Sequence, residues 1–254
     1  MKTNNLKKAL KEGKTVFGPF LKFTDPAAVE VMGFAGFDFV IIDEEHGPIS
    51  MQSAQNMIRA AESVNITPVI RVGSNDEALI LRALDIGAQG IEIPQINKKS
   101  DAIQVVKSVK YSPQGERGVC RYVRASNYSS MDKFEYFKCA NRETMIIAHI
   151  EGAEGIKNLD EILTVAGIDV IFIGPYDLSQ SLGIPGEVNH PLVIEKMQEV
   201  VSKCKENNIV VGTFADDIKT AKSWVSLGVK YMSFSVDVGI LYETSKNIVD
   251  HLVN

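Results

Sequence analysis

The sequence predicts an α/β chain that closes into a single (β/α)8 (TIM) barrel, and three observations carry that expectation. Eight short, β-rich apolar runs alternate with stretches whose apolar residues recur at three- and four-residue spacing. The strand runs are apolar on both faces, as a parallel sheet covered by helices requires. The 254 residues match such barrels, which run to roughly 250.

The elements follow in order. The first strand covers 15–23, and Thr24-Asp25-Pro26 supplies an N-cap and a first-turn proline for a helix over 25–35. Gly36 stops that helix and strand 38–43 (Asp-Phe-Val-Ile-Ile-Asp) begins. Helix 51–64 and strand 67–72 come next, and Ser74-Asn75-Asp76 caps a helix over 76–86 that ends at Gly87. Strand 90–94 and helix 99–110 complete the first half. Residues 111–142, with Ser112-Pro113-Gln114-Gly115 and Arg117, Arg121 and Arg124, break the rhythm. They read as a long loop with a short helix, a kind of segment that is often functional. Strand 145–151, helix 155–165, a stop at Gly167, strand 169–174, helix 191–207, strand 209–214, helix 216–227, a stop at Gly228 and strand 231–236 finish the chain. One domain spans 1–254. An open doubly wound sheet is the runner-up, weakened because no Gly-x-Gly-x-x-Gly follows the first strand.

Composition narrows the function. With 45% hydrophobic and 23% charged residues, the chain is not disordered. A net charge of −5 argues against a nucleic-acid partner. Three cysteines without CxxC spacing exclude a disulfide framework or thiolate zinc site and fit a reducing compartment. No apolar run approaches the roughly 18 residues of a membrane span, and the N-terminus lacks an apolar signal region. The chain is therefore read as cytoplasmic.

In a barrel the active site lies beyond the C-terminal strand ends. Those positions hold Asp43, Glu44, Glu45 and His46, then Arg71, Glu92, Gln95, His149, Glu151, Tyr176, Asp177, Asp216 and Asp237. Glu151 and Asp177 read either as ligands of a divalent cation, which relieves repulsion between close carboxylates, or as solvated loop acids. His46, three residues after Asp43, reads either as a general base with its tautomer fixed by that carboxylate or as a loop histidine. Arg71 holds a substrate carboxylate or enolate oxygen, or forms a structural ion pair. His149 shares a strand face with Glu151 and is either a third metal ligand or a donor to substrate. Ser179 and Ser181 read as backbone caps. Interior strand positions lack lysine apart from Lys22, which argues against a Schiff-base enzyme.

Phe39-Val-Ile-Ile-Asp-Glu-Glu-His-Gly-Pro48, Pro68-Val-Ile-Arg71, Gly115-Glu-Arg-Gly118 and Ile173-Gly-Pro-Tyr-Asp-Leu-Ser179 resemble, in order, the HpcH/HpaI family of metal-dependent (class II) 2-oxo acid aldolases. The resemblance covers nearly the whole chain, and the combination of Asp-x-Glu-His with Gly-Pro-x-Asp-Leu-Ser is specific. It implies a barrel whose C-terminal helix is exchanged with a neighbouring subunit, in a homohexamer built as a trimer of dimers. It implies Mg²⁺, Mn²⁺ or Co²⁺ at Glu151 and Asp177, holding pyruvate or a related 2-oxo acid. Arg71 would steady the enolate, and His46 supported by Asp43 would act as acid/base. Backbone amides at Tyr176 and Asp177 would meet the substrate carboxylate, and Asp85 would orient the histidine of a neighbouring subunit. Three residues depart from the pattern: His149 stands where the family has Gln, Glu44 where Gly is common, and Tyr176 where a small residue is common.

The implied activity is reversible aldol cleavage of a 4-hydroxy-2-oxo acid into pyruvate and an aldehyde. The alternative within the family is a siderophore-type citrate synthase acting on oxaloacetate, for which Arg117, Arg121 and Arg124 would suit a dicarboxylate. A non-catalytic 2-oxo acid sensor is disfavoured because His46 and both metal positions are present. A phosphate-binding isomerase is disfavoured by the acids Asp216 and Asp237 after strands seven and eight.

Overall fold

A computed structural model describes residues 3–253. Its elements run α1 (Asn5–Lys11), β1 (Val16–Leu21), α2 (Pro26–Phe34), β2 (Phe39–Asp43), α3 (Met51–Ser63), β3 (Thr67–Arg71), α4 (Glu77–Asp85), β4 (Gly90–Ile93), α5 (Lys99–Val109), α6 (Lys133–Glu143) and β5 (Met145–Ile150). They continue with α7 (Ala153–Lys157), α8 (Leu159–Leu163), β6 (Val170–Ile173), α9 (Pro175–Ser181), α10 (Pro191–Glu206), β7 (Val210–Ala215), α11 (Ile218–Leu227), β8 (Tyr231–Val236) and α12 (Asp237–Val253). The eight strands pair in chain order and close, β8 lying parallel to β1.

The local signals act as read. Asp25 accepts from the Ala27 N–H, and Asp76 from those of Ala78 and Leu79. Gly36, Gly87, Gly167 and Gly228 all hold the positive φ that ends a helix without a Cβ clash. Three differences stand out. The helix expected over 155–165 breaks at Asn158 into α7 and α8. The 111–142 segment carries a 3-10 turn at Arg124–Ser126 and the 11-residue α6. Finally, α1 and α9 were not expected; they are seven residues each, too short to display a period, whereas α12 is the C-terminal helix that the resemblance implies.

Strand alternation divides the interior into levels. One set of alternate residues (Val40, Ile42, Ile70, Ile91, Ile146, Ala148, Ile171 and Ile173) packs outward under the helices. The other set faces into the barrel, and its lower members are apolar: Val16, Phe39, Ile41, Val69, Met145, Ile147, Val170 and Tyr231. Leu6 and Leu10 of α1 join this inner cluster and plug the N-terminal end. Buried Asn4 fastens the plug by donating to the carbonyls of Gln89 and Glu143. Two residues further along the same faces, the inward positions become Asp43, Arg71, Glu92 and His149. The register that aligns Asp43, Arg71 and Glu92 makes them neighbours around the ring. Apolar residues thus fill the bottom of the barrel and charges its mouth.

The final helix is unusual. Of α12 only Asp237 is buried, while Leu241, Tyr242, Ile248, Val249, Leu252 and Val253 are exposed. Beside it, over the outside of β8 and β1, lies an apolar groove of about 540 Å³ lined by Phe17, Phe37, Ile218, Ala221, Val225 and Phe234. Between α11 and α2, that groove is the slot an eighth barrel helix fills. No helix among the described residues is long and apolar enough to cross a membrane.

The inner stack of Phe39 on Tyr231 (centroids 4.3 Å apart) is made possible by glycine. A Cβ on Gly18 would lie 2.2 Å from the Phe39 carbonyl oxygen and 2.6 Å from its ring, so backbone must move to admit it. Gly18→Ala is expected to destabilise the fold by about 1–3 kcal/mol, read as a lower urea midpoint. An unchanged midpoint would contradict this packing.

Candidate active site

The mouth of the barrel is organised by one buried ion pair. Asp43 ends β2 with no exposed surface, and Arg71 ends β3 beside it in register. Arg71 grips Asp43 with two parallel bonds, Nε to Oδ1 at 2.8 Å and Nη2 to Oδ2 at 2.7 Å. Its Nη1 lies 3.1 Å from Glu45, and its guanidinium sits over the Phe20 ring at 4.5 Å. Burial alone pushes the Asp43 carboxyl up, but the bonds and charge of Arg71 outweigh it and hold it below the usual range. Oδ1 also accepts the backbone N–H groups of Glu45 and His46, at 3.2 and 3.3 Å. Asp43 therefore shapes the loop that carries His46. This differs from the expected support: the carboxylate turns to Arg71 and to the backbone, leaving the His46 imidazole 63% exposed with Nε2 3.8 Å from Glu45.

A second charged chain crosses the mouth. His149 is buried, stacked on Phe172 at 4.3 Å. Its Nε2 meets Glu92 at 2.5 Å and its Nδ1 meets Glu151 at 3.0 Å. Burial pulls the imidazole down, but the charge of Glu92 and the bonds to Glu151 and Glu92 raise it to about 9. With a carboxylate at each nitrogen, the surroundings favour the doubly protonated ring. Here both nitrogens, considered from the sequence for a metal or a substrate, meet carboxylates, and one of these is Glu151.

Glu151 and Asp177 follow adjacent strands and line one cavity of about 170 Å³ with Lys22, Asp43, Arg71 and His149. Phe20, Phe172, Phe214, Val236 and Tyr176 form its less polar wall. Burial raises Glu151, but His149 and then Arg71 bring it below its ordinary value. Asp177 is raised, by burial first and by the charge of Glu151 second. Two half-buried carboxylates that repel one another, with nitrogen donors already engaged, suit a hard cation that takes oxygen ligands and completes its shell with water and substrate oxygens. No group of three or more His, Cys, Asp or Glu residues that could hold a metal ion is found among the described residues.

The remaining expected residues are placed as follows. Tyr176, 44% exposed, donates its hydroxyl to Asp216 across the β6–β7 rim, and that bond together with burial pushes the phenol up to about 12. Asp85 ends α4 and pairs with Arg117 at 2.7 Å. Because α4 runs back down the barrel, Asp85 lies at the end opposite the site and does not meet His46 within one subunit. Asp237 serves structure: its carboxylate accepts the N–H groups of Lys22, Phe23 and Val238, fastening the end of β1 to β8. Ser179 donates to the Tyr176 carbonyl and Ser181 to that of Leu178, as expected of caps.

Sequence reasoning undervalued Glu92, Glu45 and Lys22. The signal for Glu92 was present: an acid at an inward position of an otherwise apolar strand.

Comparisons with known proteins agree with this geometry. A family model described as HpcH/HpaI aldolase/citrate lyase matches residues 17–244. A hydroxypyruvate/pyruvate aldolase of Roseobacter denitrificans is 33% identical over 246 residues, 96% of this chain and 95% of the relative. A 5-keto-4-deoxy-D-glucarate aldolase of Citrobacter koseri is 30% identical over 247 residues, 97% of this chain and 95% of the relative. Among solved structures, an HpcH/HpaI aldolase/citrate lyase family protein from Burkholderia cenocepacia J2315 matches with a TM-score of 0.93 at 31% identity, covering 99% of this chain and all of that one. The citrate synthase SbnG matches with a TM-score of 0.87 at 31% identity, covering 97% and 96%.

The Asp43–Arg71 pair has a measurable signature. Asp43→Asn leaves a buried guanidinium short of charge and is expected to cost about 3 kcal/mol of stability near neutral pH. Since the folded carboxyl sits below its unfolded value of about 3.9, its contribution is complete above that pH and fades as pH falls through the lowered folded value. Urea unfolding of both proteins over an acid series checks this: the gap should narrow on acidification. A gap that widened would contradict the pairing.

Proposed function

The chain belongs to the HpcH/HpaI aldolase/citrate lyase family. From that premise we propose that it is a divalent-metal-dependent carbon–carbon lyase, cleaving a 4-hydroxy-2-oxo acid reversibly into pyruvate and an aldehyde. The observation that carries this reading is the convergence of the Glu151–Asp177 pair and the Arg71 guanidinium on one cavity at the barrel mouth. Glu151 and Asp177 would hold Mg²⁺, Mn²⁺ or Co²⁺, which when bound withdraws electrons from the 2-oxo group. His149 keeps the Glu151 carboxylate oriented and ionised.

In cleavage the 4-hydroxyl loses its proton to His46, the C3–C4 bond breaks, and its electron pair moves onto the pyruvate unit as an enolate. Protonation at C3 then yields pyruvate, and the other fragment leaves as an aldehyde. Arg71, fixed by Asp43 and Phe20, meets the developing negative charge on the enolate oxygen without having to reorganise. The first-turn N–H groups of α9, around Tyr176 and Asp177, receive the substrate carboxylate. The site of action is the cytoplasm.

The citrate-synthase alternative loses its expected anchors within one subunit. Arg117 pairs with Asp85, Arg124 with Glu62, and Arg121 bonds Ser129, all outside the cavity lining.

The protein acts as a homo-oligomer in this reading. The apolar face of α12 and the empty slot between α11 and α2 complement each other, and a second copy's α12 fills the slot. Leu241→Glu with Ile248→Glu should convert the oligomer to smaller species by light scattering; an unchanged mass would count against the exchange.

The aldolase reading is tested by pyruvate release from a panel of 4-hydroxy-2-oxo acids with each metal. Glu151→Gln should lower cleavage roughly a hundred- to thousandfold, comparable to removing a preorganised electrostatic group. Wild-type activity surviving EDTA would rule out the mechanism.

A further inference from the structure

We propose that Lys22 is a specificity residue: it recognises an acid group on the aldehyde half, so that the preferred substrate is anionic at both ends. This rests on the aldolase reading, since it assigns the far end of the same cavity.

Topology sets the direction. In a closed ring of eight strands β1 stands across from β5, the strand that leads to Glu151, and Asp177 follows the next strand. A 2-oxo acid end held by that pair leaves the rest of the substrate running toward β1. There Lys22, two residues past inward-facing Phe20, lines the cavity with its side chain 31% exposed.

The ammonium is under-used by the protein. Of its three N–H donors, one reaches the His46 carbonyl at 3.2 Å. The Asp43 carboxylate is 3.7 Å away, too far for a hydrogen bond, and both its oxygens are taken by Arg71. The other cations at the mouth sit in closer ion pairs, Arg71 with Asp43 and Glu45, His149 with Glu92 and Glu151. Lys22 keeps donors to spare and has no ion pair closer than 3.7 Å, and Phe20, Phe214 and Val236 of β1, β7 and β8 line the same cavity.

Its placement is firm. The backbone N–H of Lys22 donates to both oxygens of buried Asp237, at 2.9 and 3.0 Å, so the Cα is fixed and only the flexible stem adjusts. The ammonium also contacts the carbonyl of His46, which sets it next to the group that handles the 4-hydroxyl, on the aldehyde side of the bond that breaks.

The test compares condensation of pyruvate with glyoxylate and with glycolaldehyde, which match in length but differ in charge. In Lys22→Met the glyoxylate-to-glycolaldehyde ratio of kcat/KM should fall roughly ten- to hundredfold, the scale of one lost charged hydrogen bond. Lys22→Arg should restore most of it and Lys22→Glu should invert it. An unchanged ratio overturns the proposal. So does a pyruvate adduct on Lys22 after borohydride treatment, which would make the residue a nucleophile. Calorimetry separates the two readings. If neither aldehyde reacts, the aldolase reading falls, and the comparison of 2-oxoglutarate with 2-oxobutyrate decides for Lys22: a preference for the dicarboxylate that disappears in Lys22→Met upholds it, and an undiminished or absent preference overturns it.

Discussion

The buried bidentate pair between Asp43 and Arg71 is the constraint on which the mouth of the barrel depends. Strand alternation alone would put two desolvated charges side by side at the ends of β2 and β3, an arrangement that is costly unless each satisfies the other. The register does satisfy them, and the geometry then propagates. Arg71, held over the Phe20 ring, reaches Glu45 with its remaining nitrogen. Asp43 uses its spare acceptor capacity to bend the Glu45–His46 backbone. One pair therefore sets the guanidinium, a loop and the starting point of the His46 side chain.

The rest of the charge at the mouth follows from the same logic of matched neighbours. Glu92, His149 and Glu151 alternate in sign along a line, so the imidazolium is secure although buried. Asp177 has no cationic partner of comparable closeness among the described residues, and burial and the charge of Glu151 raise its carboxyl. That imbalance has a direction. A cation placed beside Glu151 and Asp177 completes the pattern, and an anionic substrate finds Arg71 and Lys22 on the other side. The His149 substitution relative to the family fits here as well: Glu92 and Glu151 need a positive charge between them, which an imidazolium provides and a neutral amide would not.

Much of this was legible in the sequence because it depends on short-range rules. The strand runs, the capping aspartates and the four glycine stops each report local backbone chemistry, and they were sufficient to give the order of elements and the rim on which the charges gather. What was not legible depends on pairings through space. Nothing in Asp43-Glu-Glu-His46 says that the carboxylate faces Arg71, 28 residues on, instead of the nearby imidazole. Likewise, His149 was assigned an open role because Glu92, 57 residues earlier, was not known to meet its second nitrogen. The plug helix α1 was missed because two leucines four apart are too few to define a face.

One barrel keeps His46 and Asp85 at opposite ends. His46 projects from an exposed rim loop with a single carboxylate at 3.8 Å, a weak hold for a residue that must move a proton at a defined atom. Asp85, the acid expected to orient such a histidine, is at the opposite end of its own barrel, tied to Arg117. No flexing of a packed barrel brings those ends together, so in the proposed assembly a contact between them would cross from one subunit to another. The apolar face of α12 and the unfilled slot beside β8 supply a reason for subunits to associate in the first place. Under the proposed function, folding of one subunit completes the groups that would bind substrate, while the orientation of His46 is left to assembly.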